Sequence, residues 1–408
     1  MANLQNNLEV PRFFLCPISL EIMKDPVTLS TGITYDRDSI ENWLFTLKNE
    51  VCPMTKQVVT DIELTPNHTL RRLIQSWCTI NASSGIERFP TPRLPISKTE
   101  IVKLLKDSKS PDQLQMKGLQ RLRTIVMENE KNKRLMESVG AADYLSSIIT
   151  NMTSSSQAGE VNAADEALSI LYHLKLSQTG LKSLFGKSTD FVETLTHVMQ
   201  CAASYESRTY AVMLLKSMFE VAEPMQVTSL NPSFFMQLIR ILKDQISLKA
   251  TKATLKILIS VCPWGRNRMK AADGGAVSVL VDTLLDTTEK RVSEMVMIVL
   301  DQLCQSAEGR YELLKHSGGL AVVSKKIFRV STTASERAVR ILYSVAVFSG
   351  NTKVVQEMLE LGVVEKLVLV LQVDCGTKMK EKAREILKIH SRVWKNSPCI
   401  NYDLGRKL

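Results

Sequence analysis

Apolar positions along this chain fall into two regimes, a short mixed one and a long helical one. Val27 to Tyr35 is a β-prone stretch interrupted by Ser30-Thr31-Gly32, which predicts a short hairpin. Ile40, Trp43, Leu44 and Leu47 follow at i, i+3, i+4 and i+7, the spacing of one helix face, with Asp36 placed to cap that helix. A turn at Pro66-Asn67 and a cap at Thr69 start a second helix carrying Leu70, Leu73, Ile74 and Trp77 on one side. Ile22, Val27, Ile40, Leu44, Leu70, Leu73 and Ile74 supply the expected core of this small α+β unit.

After Cys78 the pattern lapses. Asn81-Ala82-Ser83-Ser84-Gly85 gives way to Pro90, Pro92 and Pro95, the composition of a semi-extended linker over 85–96. From about Ser97 the chain reads as all-α. Breaks followed by an apolar helix recur at Gly140, Gly186, Pro232, Gly275, Gly319 and Gly362. They come at roughly the 43- to 46-residue interval of helical solenoid units, so six or seven units fit between 97 and 400, with a tail over 401–408. Each break has the same logic: a glycine ends one helix in the left-handed region, and the next helix buries a wide apolar face. A unit of this kind packs only against its neighbours and leaves a long groove for a protein partner.

Composition narrows the reading only where it excludes. Apolar content of 44% with 23% charged residues is that of a globular protein, and no apolar run is long enough to span a bilayer. Eight cysteines without a single Cys-x-x-Cys fit reduced thiols and point to a cytoplasmic protein, with the nucleus or a membrane periphery as further locations. The formal charge of +10 admits an acidic partner. Yet the basic clusters Lys131 to Arg134, Arg266 to Lys270 and Lys378 to Arg384 lack interleaved aromatics, so no nucleic acid is expected. His173, His197, His316 and His390 each stand alone on a helical segment, as packed or surface residues rather than metal ligands.

Candidate chemistry lies in two short runs, Cys16-Pro17-Ile18-Ser19 and Cys52-Pro53-Met54-Thr55. They read as halves of a zinc cross-brace in which Ser19 and Thr55 stand where second thiols belong. Cys16, Cys52, His68 and Cys78 are too few for two tetrahedral sites. No metal or other cofactor is therefore expected, and Cys16, Ser19, Cys52 and Thr55 become structural loop residues held by hydrogen bonds. Cys16 has no histidine before it to activate it as a nucleophile.

Phe14 to Val27, Thr31-Gly32-Ile33-Thr34-Tyr35-Asp36-Arg37 and Leu64-Thr65-Pro66-Asn67 together resemble the U-box domain, a metal-free relative of the RING domain, over residues 9–84. The repeats resemble armadillo units, which form a right-handed superhelix of three-helix units. Short U-box and armadillo proteins of plants are ubiquitin ligases. The resemblance therefore implies a mainly α protein that is an enzyme without a nucleophile of its own: the U-box recruits a ubiquitin-charged conjugating enzyme, and the repeats hold the substrate. It also implies self-modification, roles in stress or defence signalling, and U-box pairing into a dimer. By the same resemblance Ile18, Leu20, Trp43 and Pro53 form the groove for the conjugating enzyme. Lys56 falls where related domains place an arginine that bridges conjugating enzyme and ubiquitin. A lysine lacks the planar fork for that bridge, and Gln57 beside it can share the work. The alternative is a non-catalytic armadillo scaffold that binds a protein partner; intact Ile18, Trp43 and Pro53 argue against it.

Overall fold

The computed structural model describes residues 10–47, 49–59, 63–81, 96–107, 113–154, 161–186, 190–201, 204–228 and 230–394. The expected linker up to Pro95 and the tail lie outside these residues, as do Ser155 and Ser156 of the polar run that begins at Thr153. Contacts divide the chain into two units, Met1–Pro95 and Ile96–Leu408.

In the first unit, β1 (Pro26–Thr28) pairs antiparallel with β2 (Thr34–Asp36), and the short β3 (Thr65–Pro66) joins on the other side of β1. The pleat sends Val27 and Tyr35 into the core. Thr28 and Thr34, paired across the hairpin, face away and hydrogen-bond through their hydroxyls at 2.9 Å. Gly32 takes φ of 81° in the connecting turn, a conformation that suits a residue without Cβ.

Helix α1 (Arg37–Glu41) continues into a wider π turn at Asn42–Thr46. Ile40 and Leu44 are buried and Trp43 half-buried, as the spacing requires. Leu47 does not extend the stripe. It follows the last turn and is exposed, because the helical period has ended by that point. Helix α2 (His68–Ile80) starts two residues earlier than expected, and its cap is Asn67, whose side chain accepts from the Leu70 N–H at 3.0 Å; Thr69 lies inside the helix. Ile74 and Cys78 define its buried line, which turns Leu73 out to solvent. Ile22 is half-buried at the edge of the core. Phe14, Met23, Leu29, Tyr35, Val59 and Leu64 fill the volume that Leu73 does not.

The second unit is entirely helical among the described residues. The pair Lys98–Asp107 and Gln113–Glu128 precedes six triads, each ending in a long helix: Val161–Leu174, Tyr205–Phe219, Leu248–Val261, Lys290–Leu303, Thr332–Ser349 and Thr377–Ile389. Those third helices stack in sequence and share one continuous hydrophobic core. Trp394 closes the last triad, fully buried, with its indole N–H donating to the Val355 carbonyl at 3.2 Å.

Gly140, Gly275 and Gly362 adopt positive φ, as the break pattern requires. Gly319 does not. It opens a helix, and a Cβ there would collide with the Leu313 carbonyl oxygen, so this glycine is selected by close backbone approach. Pro232 opens its helix at the first position, where its missing N–H leaves no bond unmade. Of the Gly186 break, residues 187–189 lie outside the described segments.

Candidate functional site: two closed loops on a common frame

The two Cys-Pro runs fold into the same structure twice. In loop one the Cys16 N–H donates to the Glu21 carbonyl at 2.8 Å, and the Leu20 N–H donates to the Cys16 carbonyl at 2.8 Å. In loop two the Cys52 N–H donates to the Gln57 carbonyl at 2.8 Å, and the Lys56 N–H to the Cys52 carbonyl at 3.0 Å. An antiparallel bridge closes each base, Leu15 with Ile22 and Val51 with Val58. Every residue of loop one thus has a counterpart at constant offset in loop two: Pro17 with Pro53, Ile18 with Met54, Ser19 with Thr55, Leu20 with Lys56.

Leu20 and Lys56 each take φ of 59°, which costs a residue with a Cβ about 1 kcal/mol or more. Such strain persists only where surrounding bonds over-determine it, and here each strained residue closes its own loop. The backbone turn presents both side chains outward, and Leu20 is 73% exposed.

The loops are anchored by adjacent residues of β2. Tyr35, fully buried, brings its hydroxyl to 3.0 Å from Cys52 Sγ and accepts the Met54 N–H at 3.3 Å. Asp36 serves loop one: its N–H donates to Cys16 Sγ at 3.2 Å, and its Oδ1 accepts the Lys24 and Asp25 N–H groups at 2.7 and 2.9 Å. Its carboxylate makes no cap bond to α1. Successive side chains of a strand point to opposite sides, which lets one dipeptide reach two loops.

These bonds hold both sulfurs among hydrogen-bonding groups of the protein. Burial alone would raise the Cys52 thiol, but the hydroxyls of Thr31, Thr55 and Tyr35 and the Thr55 N–H outweigh it and pull the group down to about 6. At Cys16 burial is likewise outweighed, by the Ser19, Asp36 and Ile18 amides and the Ser39 hydroxyl, and the thiol is lowered. Tyr35 is raised, first by burial and then by its bond to Cys52. Ser19 and Thr55, the residues in place of second thiols, thus point donors at the sulfurs that remain. Among the described residues no group of three His, Cys, Asp or Glu is arranged to hold a metal ion.

An ion-pair cluster joins the frame to the helices. Asp25 receives Arg37 Nε at 2.5 Å and Arg71 Nη2 at 3.4 Å, linking the residue before β1 to α1 and α2.

Ile18 and Trp43 pack half-buried against the same core, so each presents part of its surface to solvent. Trp43 is also tied to loop two, since its indole N–H donates to the Val51 carbonyl at 2.8 Å and its own carbonyl accepts the Asn49 N–H at 3.2 Å. Pro53 is half-buried, and Lys56 and Gln57 are exposed. Met54 escaped the sequence reading. It is 59% exposed between Pro53 and Lys56, and the signal that would have found it is its correspondence with Ile18.

In the second unit the third helices offer no ladder of asparagines. Ser217, Ser260, Gln302 and Ser344, at recurring places on successive helices, donate instead to the carbonyls of Met213, Ile257, Ile259 and Cys304. Asp301, buried, accepts from Arg337 at 2.8 Å and Arg340 at 3.1 Å and stitches two units together. The Tyr172 and Tyr210 rings stack at 4.8 Å between earlier units.

Comparison with known proteins agrees with this two-part construction. Residues 10–83 match the family model of the U-box domain, and residues 100–407 match that of the plant U-box protein ARM repeat region. The chain is 57% identical over 402 residues to the E3 ubiquitin-protein ligase PUB23 of Arabidopsis thaliana, covering 97% of this chain and 96% of that one. It is 54% identical to the E3 ubiquitin-protein ligase PUB22 of the same plant, covering 98% and 99%. Among solved structures, a chain from the study of a phosphorylation switch between cadherin and β-catenin aligns with TM-score 0.57 at 14% identity, over 79% of this chain and 59% of that one, a likeness of fold.

Proposed function

Since this chain belongs to the plant U-box proteins with an armadillo repeat region and is a ubiquitin ligase, we propose that loops one and two with Trp43 form the surface on which it holds a ubiquitin-charged conjugating enzyme. The observation that carries the assignment is the matched pair of strained, closed loops presenting Leu20 and Lys56 outward. A rigid surface is what the chemistry needs. The substrate lysine amine attacks the thioester carbonyl, an isopeptide bond forms and the conjugating enzyme's thiolate leaves. The ligase lowers the barrier by holding the reactants in attacking geometry, with no bond to itself.

In this reading Ile18, Leu20, Trp43 and Pro53 grip the conjugating enzyme, and Lys56 orients the thioester with Gln57 beside it. Cys16, Ser19, Cys52 and Thr55 are structural. The armadillo unit selects the substrate, a reading that the match to the plant U-box protein ARM repeat region supports. The same reading takes the protein to be cytoplasmic, self-modifying, dimeric and engaged in stress or defence signalling. The seven described cysteines, all free thiols, support the compartment, and the family resemblance supports the rest.

The test is ubiquitin transfer with activating enzyme, conjugating enzyme and full-length ligase that has been treated with a zinc chelator and then freed of it. Product ladders from the treated wild type, lost in Ile18→Ala and Trp43→Ala, are the expected result. Ladders undiminished in both variants would refute the groove.

A further inference from the structure

Charge in the second unit is gathered on the third helices. The last four of them, Leu248–Val261, Lys290–Leu303, Thr332–Ser349 and Thr377–Ile389, carry twelve Lys and Arg against five Asp and Glu. The other helices of the same four triads carry ten against nine and are nearly neutral, so the excess belongs to the surface that the stacked third helices share. One of the five acids, Asp301, is buried beneath that surface.

Lys256, Ile298, Arg340 and Lys382 fall at equal intervals along the chain, one on each of these helices. Each of the three cations reaches back to the preceding repeat, which places them on one side. Lys256 Nζ lies 4.0 Å from Glu220, Arg340 Nε donates to Asp301 at 3.1 Å, and Lys382 Nζ sits 3.9 Å from the centre of the Tyr343 ring. Lys256 and Arg340 remain exposed, Lys382 and Ile298 half so. The row is therefore cationic, apolar, cationic, cationic, with its charged groups already positioned.

We propose that this row binds an extended acidic segment of the protein substrate, with one apolar residue set among its carboxylates. The inference rests on the reading that the repeats select the substrate. Packed helices lie about 10 Å apart, and an extended chain rises about 3.3 Å per residue, so it crosses one helix about every third residue. Carboxylates spaced in that way meet Lys256, Arg340 and Lys382, and an apolar side chain meets Ile298. A nucleic acid strand fits less well. It carries charge at every residue, and Glu294 and Glu336, one turn before Ile298 and Arg340, repel it.

The test is binding of the full-length protein to an array of synthetic peptides about ten residues long, in which every third residue is varied among Glu, Gln, Lys and Leu. The strongest binders are expected to carry Leu with one Glu on one side and two on the other, and added salt weakens them. For the best peptide in solution, Lys256→Gln and Lys382→Gln should each weaken binding about three-fold. The double charge reversal Lys256→Glu with Lys382→Glu should weaken it about ten-fold or more. Lys315→Gln, an exposed cation on a first helix, should change nothing, and thermal unfolding checks that each variant is folded. An array without preference for Glu over Gln, affinity kept by the folded double variant, or an equal loss in Lys315→Gln overturns the proposal. So does a single-stranded oligonucleotide that binds more tightly than every peptide and is lost in the same variant. The best peptide fused to a lysine-bearing reporter then tests its place in transfer. Reporter modification lost in the double variant, with discharge of the conjugating enzyme to free lysine kept, supports a substrate site. A peptide that binds the row yet never directs reporter modification overturns the substrate reading alone.

Discussion

Leu20 and Lys56 hold the same backbone conformation, φ of 59°, at matching points of two loops far apart in the sequence. One loop ends in an apolar side chain and the other in a cation. A conjugating enzyme that docks across both meets two chemically different knobs on one repeated scaffold.

Replacing Lys56 by Gly relieves the left-handed strain and removes the charge. Stability is expected to rise or hold while transfer falls. Lys56→Arg keeps the strain and adds a planar fork, so its transfer rate should equal or exceed wild type. A transfer assay alongside thermal unfolding separates the two effects, and a Gly variant that transfers as well as wild type would remove Lys56 from the mechanism.

Tyr35→Phe keeps the buried ring and deletes the hydroxyl that reaches Cys52 and Met54. The loss of those bonds is expected to destabilise the first unit by about 1–3 kcal/mol and to speed amide exchange at Met54 more than at Leu20. Equal exchange in both loops would show that Tyr35 supports the fold in general and loop two no more than loop one.

Cys52 gives a pH dependence of known sign. Its thiol lies at about 6 in the folded protein, below the ordinary thiol value of 9.0, so the unfolded chain binds the proton more tightly. The resulting stabilisation is full above the unfolded value, shrinks as pH falls from about 9 toward 6, and is gone below the folded value. The unfolding temperature of wild type should therefore exceed that of Cys52→Ser by a margin that grows between pH 6 and pH 9. A constant margin across that range would rule out the thiolate.

Two glycines of the repeats fail differently. Gly362→Ala brings its methyl only into ordinary contact with the Glu365 carboxylate but keeps a positive φ, and about 1–2 kcal/mol is the expected loss. Gly319→Ala drives a methyl into the Leu313 carbonyl and should cost more. Asparagine, which tolerates the left-handed region, should partly rescue position 362 and not 319. Chemical denaturation of the four variants checks the order.

Asp36 shows how far local sequence rules reach. Its position before α1 predicts a helix cap, and the chain does turn into a helix there, yet the carboxylate accepts the Lys24 and Asp25 N–H groups between loop one and β1. The amides it satisfies are remote in sequence and become neighbours only through the β1–β2 pairing. Asp36→Asn, which retains the acceptor oxygen, should be far milder than Asp36→Ala in thermal unfolding.

Much was legible without coordinates. Hydrophobic spacing marked the hairpin, α1, α2 and the repeating helices, because each buries a face whose period the residues must match. Pro232 and the glycines at 140, 275 and 362 announced their breaks through backbone chemistry that is local. Leu47 and Leu73 were misplaced because their exposure depends on where a helix stops and which line of α2 meets the core. Met54 was overlooked for a similar reason, since nothing in its neighbours distinguishes an outward methionine from a buried one. Periodicity separates the small mixed unit from the long helical one, and the two Cys-Pro runs mark both loops. That Tyr35 and Asp36 each hold one loop emerges with the fold, because hydrogen bonds between segments distant in the chain are set by packing geometry, which no local pattern encodes.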